Sequence, residues 1–465
     1  MRKSGFSLLT TLVVGVCALP SAAFAQNAPA APPAAAPPAA APPAAAAPAA
    51  PPAADAPAVA PATPATQPAA AGDSAPPPAA VPPPAAPPAP PAEAAAAPAP
   101  TYPATTITGF VEGGYNHVFG APHSAEAPIP TRAYDPENGF VLHLAHIALK
   151  HQLNEHVFGF IAFNAGADSN YNHTPGYIAP GANGGALSSI PTLFDVPEAY
   201  AVATGEGFTF TAGKFTTYEG IEVYQGPANP TITRGFLYWL AEPVTHVGAK
   251  LHYATGPLDV GVGLVNGWDT NNGVFATGDN NNQKTLIWRA AVTPSPAFFA
   301  AFSGSYGVEK PNQDSDPRLS LDLTGAGVVS PNLTINFQGN LGSEKNSDWV
   351  NPTKSASWIG FGLQPVVKVD AMSLGLRFEY FSDSGLSRSG LGQAINPKDA
   401  MGVLVDPAST KDKVGLWNLS IAPGYTIASA LLCRAEFRVD GASESALWAG
   451  KKTQETLSLG VSYMF

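Results

Sequence analysis

The sequence predicts an all-β fold: a transmembrane antiparallel β-barrel of about 16 strands, within a range of roughly 12 to 18, preceded by a disordered Ala/Pro-rich segment. Three observations lead to this prediction. Apolar and polar residues alternate in many segments of about 10 to 13 residues. Aromatic residues lie near the ends of the apolar faces of these predicted strands, and long connections alternate with short ones. The chain even ends in mid-strand, since ETLSLGVSYMF alternates up to Phe465 itself.

The first 25 residues are expected to be a cleaved signal peptide. Arg2 and Lys3 precede an apolar run that ends in Ala23, Phe24 and Ala25, with small residues where a signal peptidase reads them. A membrane anchor would need about 20 apolar residues, and this run is shorter. We therefore expect export of the chain, with cleavage before Gln26.

Residues 26–104 are almost entirely alanine and proline. Proline every few residues removes hydrogen-bond donors and prevents a continuous helix, while the lack of aromatic side chains prevents a core. The segment is predicted to be an extended, disordered periplasmic linker. Two interpretations stay open: a plain linker, or a tether that binds peptidoglycan or another periplasmic partner.

Residues 105–465 carry the alternation that predicts the barrel. In TITGFVEGGYNHVF, Ile107 and Val111 share one parity while Thr108 and Glu112 share the other, so the strand has two chemically different faces. A soluble sandwich also alternates, but strands of about 10 to 13 residues suit a tilted membrane-spanning strand better. The aromatic residues near strand ends are Tyr115, Phe119, Trp288, Tyr306, Tyr380 and Tyr463. Such residues are expected at the membrane–water interfaces.

Connection lengths supply an independent indication. Long connections are predicted at 120–138, 167–195, 216–244, 267–282, 383–412 and 441–453. Short turns are predicted at 151–156, 204–206, 255–257, 294–296 and 423–426. Long loops on one rim and short turns on the other are typical of outer-membrane barrels, and an even strand count leaves both barrel ends on the short-turn, periplasmic rim.

Composition excludes several classes of function. The net charge of −11 argues against a nucleic-acid surface, which would need a basic stripe. Of the two cysteines, Cys17 lies in the predicted signal, so Cys433 can form no internal disulfide. His143 and His146 are three apart on a strand and are expected on opposite faces, which does not suit a shared metal. The sequence predicts no enzyme activity, no cofactor and no metal site.

Several segments between 207 and 282 resemble the OmpL-like β-barrel porin family. The matching motifs are Gly213-Lys214-Phe215 with Gly220 and Glu222, then Gly248, then Asn266-Gly267-Trp268-Asp269. The resemblance covers about 105–465 and implies a bacterial (Gram-negative) outer-membrane channel surrounded by lipid. By a second resemblance, the closing strand with Tyr463 and Phe465 is similar to the signal that the outer-membrane assembly machinery reads.

Charged residues inside strands are expected to face the barrel interior, because an Arg or Lys on the lipid face costs about 2–4 kcal/mol at mid-depth. The residues predicted to line the pore and set its selectivity are Lys250, Arg377, Glu379, Arg434, Glu436 and Arg438. The alternative is a neutralised ladder that only stiffens the wall. The expected function is a water-filled channel for small hydrophilic solutes, and the alternative is a closed barrel that anchors the outer membrane through the Ala/Pro tether.

The connection at 216–244 is the candidate constriction loop, because it is too long and too apolar for a simple rim loop. The apolar side chains that need burial are Tyr224, Phe236, Leu237, Tyr238, Trp239 and Leu240. Folded into the lumen, the loop is predicted to set Glu219, Glu222 and Glu242 against the arginines of the opposite wall. The alternative is a loop that caps the barrel from outside.

Overall fold

A computed structural model of the protein describes residues 102–120, 128–129, 132–136, 138–169, 194–268, 281–310, 313–349, 351–388, 412–444, 448 and 451–465. The predictions for the signal peptide and for nearly all of the Ala/Pro segment lie outside these residues and stay predictions. Within the described part of the chain, no helix is long and apolar enough to cross a membrane.

Sixteen antiparallel strands close into one barrel, which confirms the predicted fold. In chain order the strands are β1 (Ala104–Val118), β2 (Pro128–Ile129), β3 (Arg132–Pro136), β4 (Asn138–Gln152), β5 (Val157–Ala165), β6 (Phe194–Gly205), β7 (Phe208–Thr216), β8 (Thr245–Thr255), β9 (Leu258–Val265), β10 (Thr285–Ser295), β11 (Phe298–Val308), β12 (Pro317–Ser330), β13 (Leu333–Glu344), β14 (Ala356–Val369), β15 (Met372–Ser384), β16 (Lys413–Ile427), β17 (Leu431–Ala442) and β18 (Thr453–Met464). The short strands β2 and β3 form a separate pair, and β1 closes the barrel by pairing with both β4 and β18.

Each barrel strand has an apolar outer face and a mostly polar inner face. In β9 the outward side chains are Leu258, Val260, Val262 and Leu264, which are between 46 % and 56 % exposed. In β1, Ile107 and Val111 point outward, whereas Glu112 is buried inside. This distribution of apolar and polar side chains is the reverse of that in a soluble protein, because lipid surrounds the outer face of the barrel and the lumen can hold water and charged groups.

The connections alternate in length around the barrel, as predicted. Turns of two residues join β6 to β7, β8 to β9 and β14 to β15. In the first of these, Glu206 and Gly207 both have positive φ angles (49° and 84°), which is the hairpin geometry that matches strand twist. Both ends of the barrel domain lie on this short-turn rim.

One predicted turn is wrong. Residues 423–426 lie inside β16, and the turn follows at 428–430. The pairing of β16 with β17 is interrupted at Pro423, between the pair Ile421–Phe437 and the pair Gly424–Arg434. Proline has no backbone N–H to donate, and at this gap the ladder requires no hydrogen bond from it.

The lumen and its inserted loop as the candidate functional site

The loop at 217–244 lies inside the barrel rather than over its rim. It contains a 3-10 turn (Gly226–Ala228) and a five-residue helix, α1 (Phe236–Leu240), whose side chains are all buried. Helix α1 packs in a lumenal cluster with Trp268, Trp358, Phe381 and Leu416. Burial of these aromatic and aliphatic side chains is the main apolar contribution that holds the loop in place.

Alternate residues of this loop face the two sides of the lumen. Glu222 and Tyr224 are buried against the wall, whereas Ile221 is partly exposed and Val223 is 36 % exposed. The loop therefore covers one part of the wall with its polar side and presents an uncharged, apolar edge to the remaining lumen.

Arg377 of β15 is the centre of the covered wall. Its guanidinium donates to Glu222 Oε1 of the loop at 2.9 Å and to the Thr233 carbonyl at 2.6 Å. It also donates to Glu436 Oε1 of β17 at 3.4 Å. Glu379, one position along the same face, accepts a hydrogen bond from the Phe236 backbone N–H at 2.6 Å. This arrangement joins loop and wall through charge-assisted hydrogen bonds in a buried setting.

Arg434, Glu436 and Arg438 of β17 bind the same loop. Arg434 donates to the carbonyls of Asn229 and Thr231, and it forms a 3.0 Å ion pair with Glu112 of β1. Glu436 accepts from the Ile232 and Thr233 backbone N–H groups at 2.8 and 2.7 Å. Arg438 donates to the Arg234 carbonyl at 2.6 Å.

These three side chains and Arg377 are nearly inaccessible, with exposures of 6 % or less. The geometry makes them anchors of the loop, and Arg434 also lines a cavity of about 480 Å³ together with Asn229, Pro230 and Lys368. Their predicted role in selectivity remains a prediction, and any effect on permeation has to act through the loop.

Glu219 and Glu242 do not oppose the arginines. Glu219 accepts a hydrogen bond from Ser320, and Glu242 accepts one from Gln338 at 2.6 Å, beside Asp322 of β12. Among the described residues, Glu222 is the one loop glutamate that forms an ion pair with an arginine, and it does so in direct contact rather than across a gap. The expected opposition of three carboxylates and a basic wall is therefore wrong for two of them, because the loop enters the lumen beside β12 and β13 before it reaches β15.

Burial and the neighbouring Asp322 carboxylate raise the pKa of Glu219 to about 8, and the same two causes raise the pKa of Glu242 well above its usual value. Both residues lie in the loop, outside the membrane-spanning strands. The raised pKa favours the neutral form of both carboxyls, which suits a buried cluster with few cations.

Part of the wall between β5 and β10 keeps inward side chains that are partly exposed, among them Phe160, Tyr200, Lys250 and Arg289, and we call this part the uncovered wall. Lys250 of β8 lies here, with its ammonium 4.2 Å from the centre of the Phe215 ring and 4.7 Å from that of Tyr218. No carboxylate among the described residues forms an ion pair with Lys250. Of the six residues predicted to line the pore, Lys250 keeps partial exposure on the uncovered wall, whereas Arg377, Glu379, Arg434, Glu436 and Arg438 are buried.

Tyr218 connects the start of the loop to this uncovered wall. Its hydroxyl shares a 2.6 Å hydrogen bond with His252 Nε2, whose Nδ1 lies 3.0 Å from Asp259. Arg289 completes the chain with a 2.6 Å bond to the same carboxylate. A Cβ at Gly261 would lie 2.9 Å from the His252 ring, so glycine is required there for the chain to form.

Sequence reasoning missed several residues that the structure brings into the site. Glu112, Asp322 and Gln338 contact the loop or its anchors, and Tyr218 joins the loop to the far wall. Their inward parity was readable from alternation. Which of them would meet the loop or its anchors was not, since the contacts of Glu112, Asp322 and Gln338 join positions 96 to 322 residues apart along the chain.

His143 and His146 are both buried, so the expectation of opposite faces is wrong. The pairing of β1 with β4 shifts by one residue at Glu112 and Gly113, and this bulge re-aims His143 toward Asp168. His146 bonds Asn164 instead, at 2.7 Å. Within the described residues, no group of three His, Cys, Asp or Glu side chains could hold a metal ion.

The sequence profile of the beta-barrel porin-2, OmpL-like family matches residues 104–465. This chain belongs to that family. Membership identifies it in general terms as an outer-membrane porin, and it confirms the resemblance seen in the motifs between 207 and 282. A search of curated proteins found no match.

Several solved structures are similar to this porin. The outer membrane channel DcaP of Acinetobacter baumannii is 11 % identical with a TM-score of 0.50, covering 78 % of this chain and 97 % of its own. A loop-deletion mutant of OmpT, an outer membrane protein of Vibrio cholerae, is 12 % identical with a TM-score of 0.47, covering 78 % and 99 %. Salmonella typhi OmpF in complex with daunomycin is 11 % identical with a TM-score of 0.47, covering 78 % and 97 %. At these identities the likeness concerns the fold alone.

Proposed function

We propose that this porin is a non-enzymatic, water-filled channel through which small hydrophilic solutes diffuse across the outer membrane of a Gram-negative cell. The observation that supports this most strongly is the contrast between the two halves of the lumen. The charged inward side chains of β15 and β17 that bind the loop are buried under it, whereas some inward side chains of β5 to β10, such as Tyr200, Lys250 and Arg289, keep partial exposure. A barrel of sixteen strands is wide enough to hold an inserted loop and still leave an aqueous path.

The loop would set the width of this path. It is held by buried, charge-assisted contacts to β15 and β17, so it is a fixed constriction and not a mobile lid. Export would follow from the predicted signal peptide at 1–25, and insertion would use the predicted assembly signal at Tyr463 and Phe465. The segment at 26–104 would act as a periplasmic linker, with peptidoglycan or a periplasmic protein as the alternative partner.

Planar-bilayer recordings of the purified, refolded protein test this proposal. We expect discrete conductance steps in potassium chloride. If the refolded barrel inserts without conductance, the closed structural anchor is the better explanation.

Cysteine accessibility adds a matched control. In a Cys433→Ala background, Thr209→Cys places a thiol on the uncovered lumenal wall and Ala203→Cys places one on the lipid face of β6. A charged methanethiosulfonate reagent should reduce the current only of the Thr209→Cys variant. Equal insensitivity of both variants would contradict an open path along β7.

A further inference from the structure

The uncovered wall carries aromatic rings on adjacent strands. Phe160 of β5 is paired in register with Lys150 of β4 and with Tyr200 of β6. The Phe160 and Tyr200 rings are stacked, with centroids 5.1 Å apart and planes inclined by 19°. Both side chains are partly exposed on the lumenal face. They form a small aromatic platform beside open lumen.

Two lysines flank this platform. Lys150 lies over the Phe158 ring at 4.2 Å, and Lys250 lies over Phe215 and Tyr218. Neither forms an ion pair with a carboxylate in the described part of the chain. Tyr200 and Tyr218 pack on the same cluster around Phe215, so the platform and the Lys250 site are continuous.

The acidic groups near this wall are already engaged. Glu198 is buried and accepts a 2.9 Å hydrogen bond from the Tyr224 hydroxyl, and Asp259 is bound by Arg289 and His252. The carboxylates Glu219, Glu222 and Glu242 of the loop are buried, and the loop residues Ile221 and Val223, which keep some exposure, are apolar. The described part of this region therefore combines aromatic and aliphatic surface with two lysines, Lys150 and Lys250, that form no ion pair with a described carboxylate.

We infer that the lumenal platform of Phe160 and Tyr200, with Lys150 and Lys250 beside it, is a binding site for planar organic anions of the aromatic carboxylate class. The lysine ammonium groups would attract the carboxylate, and the aromatic pair would stack against the ring of the solute. This inference rests on the proposed channel function and specifies the solute class of that same lumen. Partial exposure of every member of the site allows a solute to arrive and leave.

The test compares two anions of equal charge in planar-bilayer recordings of the full-length porin. Benzoate has a planar aromatic ring, and cyclohexanecarboxylate does not. We expect benzoate to reduce the chloride current at a half-blocking concentration about 2- to 10-fold lower than that of cyclohexanecarboxylate, which is the range that one aromatic contact supplies. Equal half-blocking concentrations would overturn the aromatic part of the inference.

Variants with matched controls assign the effect to residues. Tyr200→Leu should abolish the difference between the two anions, and Tyr200→Phe should restore it. Tyr253→Leu changes a tyrosine on the lipid face and should leave the difference intact.

Lys250→Gln should weaken block by both anions, whereas Lys413→Gln, on the rim at the start of β16, should not. Unchanged block in Lys250→Gln would remove this lysine from the site, and a barrel without any chloride conductance would instead overturn the proposed function.

Discussion

The ring of Phe465 lies directly over Gly109. The two residues exchange backbone hydrogen bonds of 3.0 Å in each direction, and a Cβ at position 109 would lie 2.6 Å from Cζ of Phe465. The last residue of the chain thus completes the pairing of β18 with β1, and a glycine opposite it makes room for the aromatic ring.

We expect Phe465→Ala to lower the amount of folded barrel in the outer membrane several-fold. The substitution removes the aromatic ring at the seam and, by analogy, part of the assembly signal. Gly109→Ala should lower it as well, because the new methyl would also meet the His146 carbonyl at 2.4 Å. Heat-modifiable migration of membrane fractions on a gel measures both. Cys433→Ala is the control, and equal levels in all three variants would contradict the role of the seam.

Simultaneous Arg434→Ala and Arg438→Ala substitutions should change the single-channel conductance and increase the preference for cations. Each substitution leaves a buried carboxylate, Glu112 or Asp440, without that partner, at a cost of about 3–5 kcal/mol per broken pair. The loop should then be held less tightly against β17, and the lumen should become more negative because two positive charges are lost. Reversal potentials in a salt gradient measure the preference.

The control for this double variant is Lys310→Ala, which removes an ion pair with Asp316 close to the rim and outside the loop seam. Surface pairs of this kind contribute about 0–1 kcal/mol, so conductance should not change. Unchanged reversal potentials in the double arginine variant would show that these arginines have no influence on selectivity.

The seating of the loop should weaken as the pH rises from about 4.5 toward 8 and above. Glu219 has a pKa raised from 4.5 to about 8, so its neutral form favours the folded loop fully at low pH, and this contribution is lost as the pH passes through the raised value. Glu242 shifts in the same direction. The groups that face this cluster are Asp322, Glu222, Glu309, Ser305, Ser320 and Gln338.

Current noise and mean conductance at pH 6 and pH 9.5 report this effect. We expect a noisier channel at pH 9.5 in the natural protein and a smaller change in the Glu219→Gln, Glu242→Gln double variant, which keeps hydrogen-bonding capacity without charge. If the double variant shows the full pH response, the response originates elsewhere.

Deletion of residues 28–100 should leave barrel folding and conductance intact, since no strand pattern lies in that part of the sequence. The folded band on a heat-modifiability gel and the bilayer conductance both measure this. Loss of the folded band on deletion would show that the Ala/Pro segment takes part in assembly.

The sequence by itself determined the strands, their faces and the closing end of the barrel. Alternation is a local signal of period two, so the outward position of Leu258 and the inward position of Arg377 could be predicted without any tertiary contact. Loop lengths are equally local, and they led to the correct rim for both ends of the barrel. The one misplaced turn, at 423–426, came from reading Pro423 as a breaker where a gap in pairing accommodates it.

Only the tertiary structure decided what the inner charges do. The apolar composition of 217–244 indicated burial, but the wall side chains that bind Glu219 and Glu222 lie 101 to 155 residues away along the chain. Local sequence patterns do not predict which distant side chains a loop will contact once the barrel has closed around it. The closure of the barrel therefore set Glu222 on Arg377, Glu219 and Glu242 beside Asp322, and left Lys250 facing the open half of the lumen.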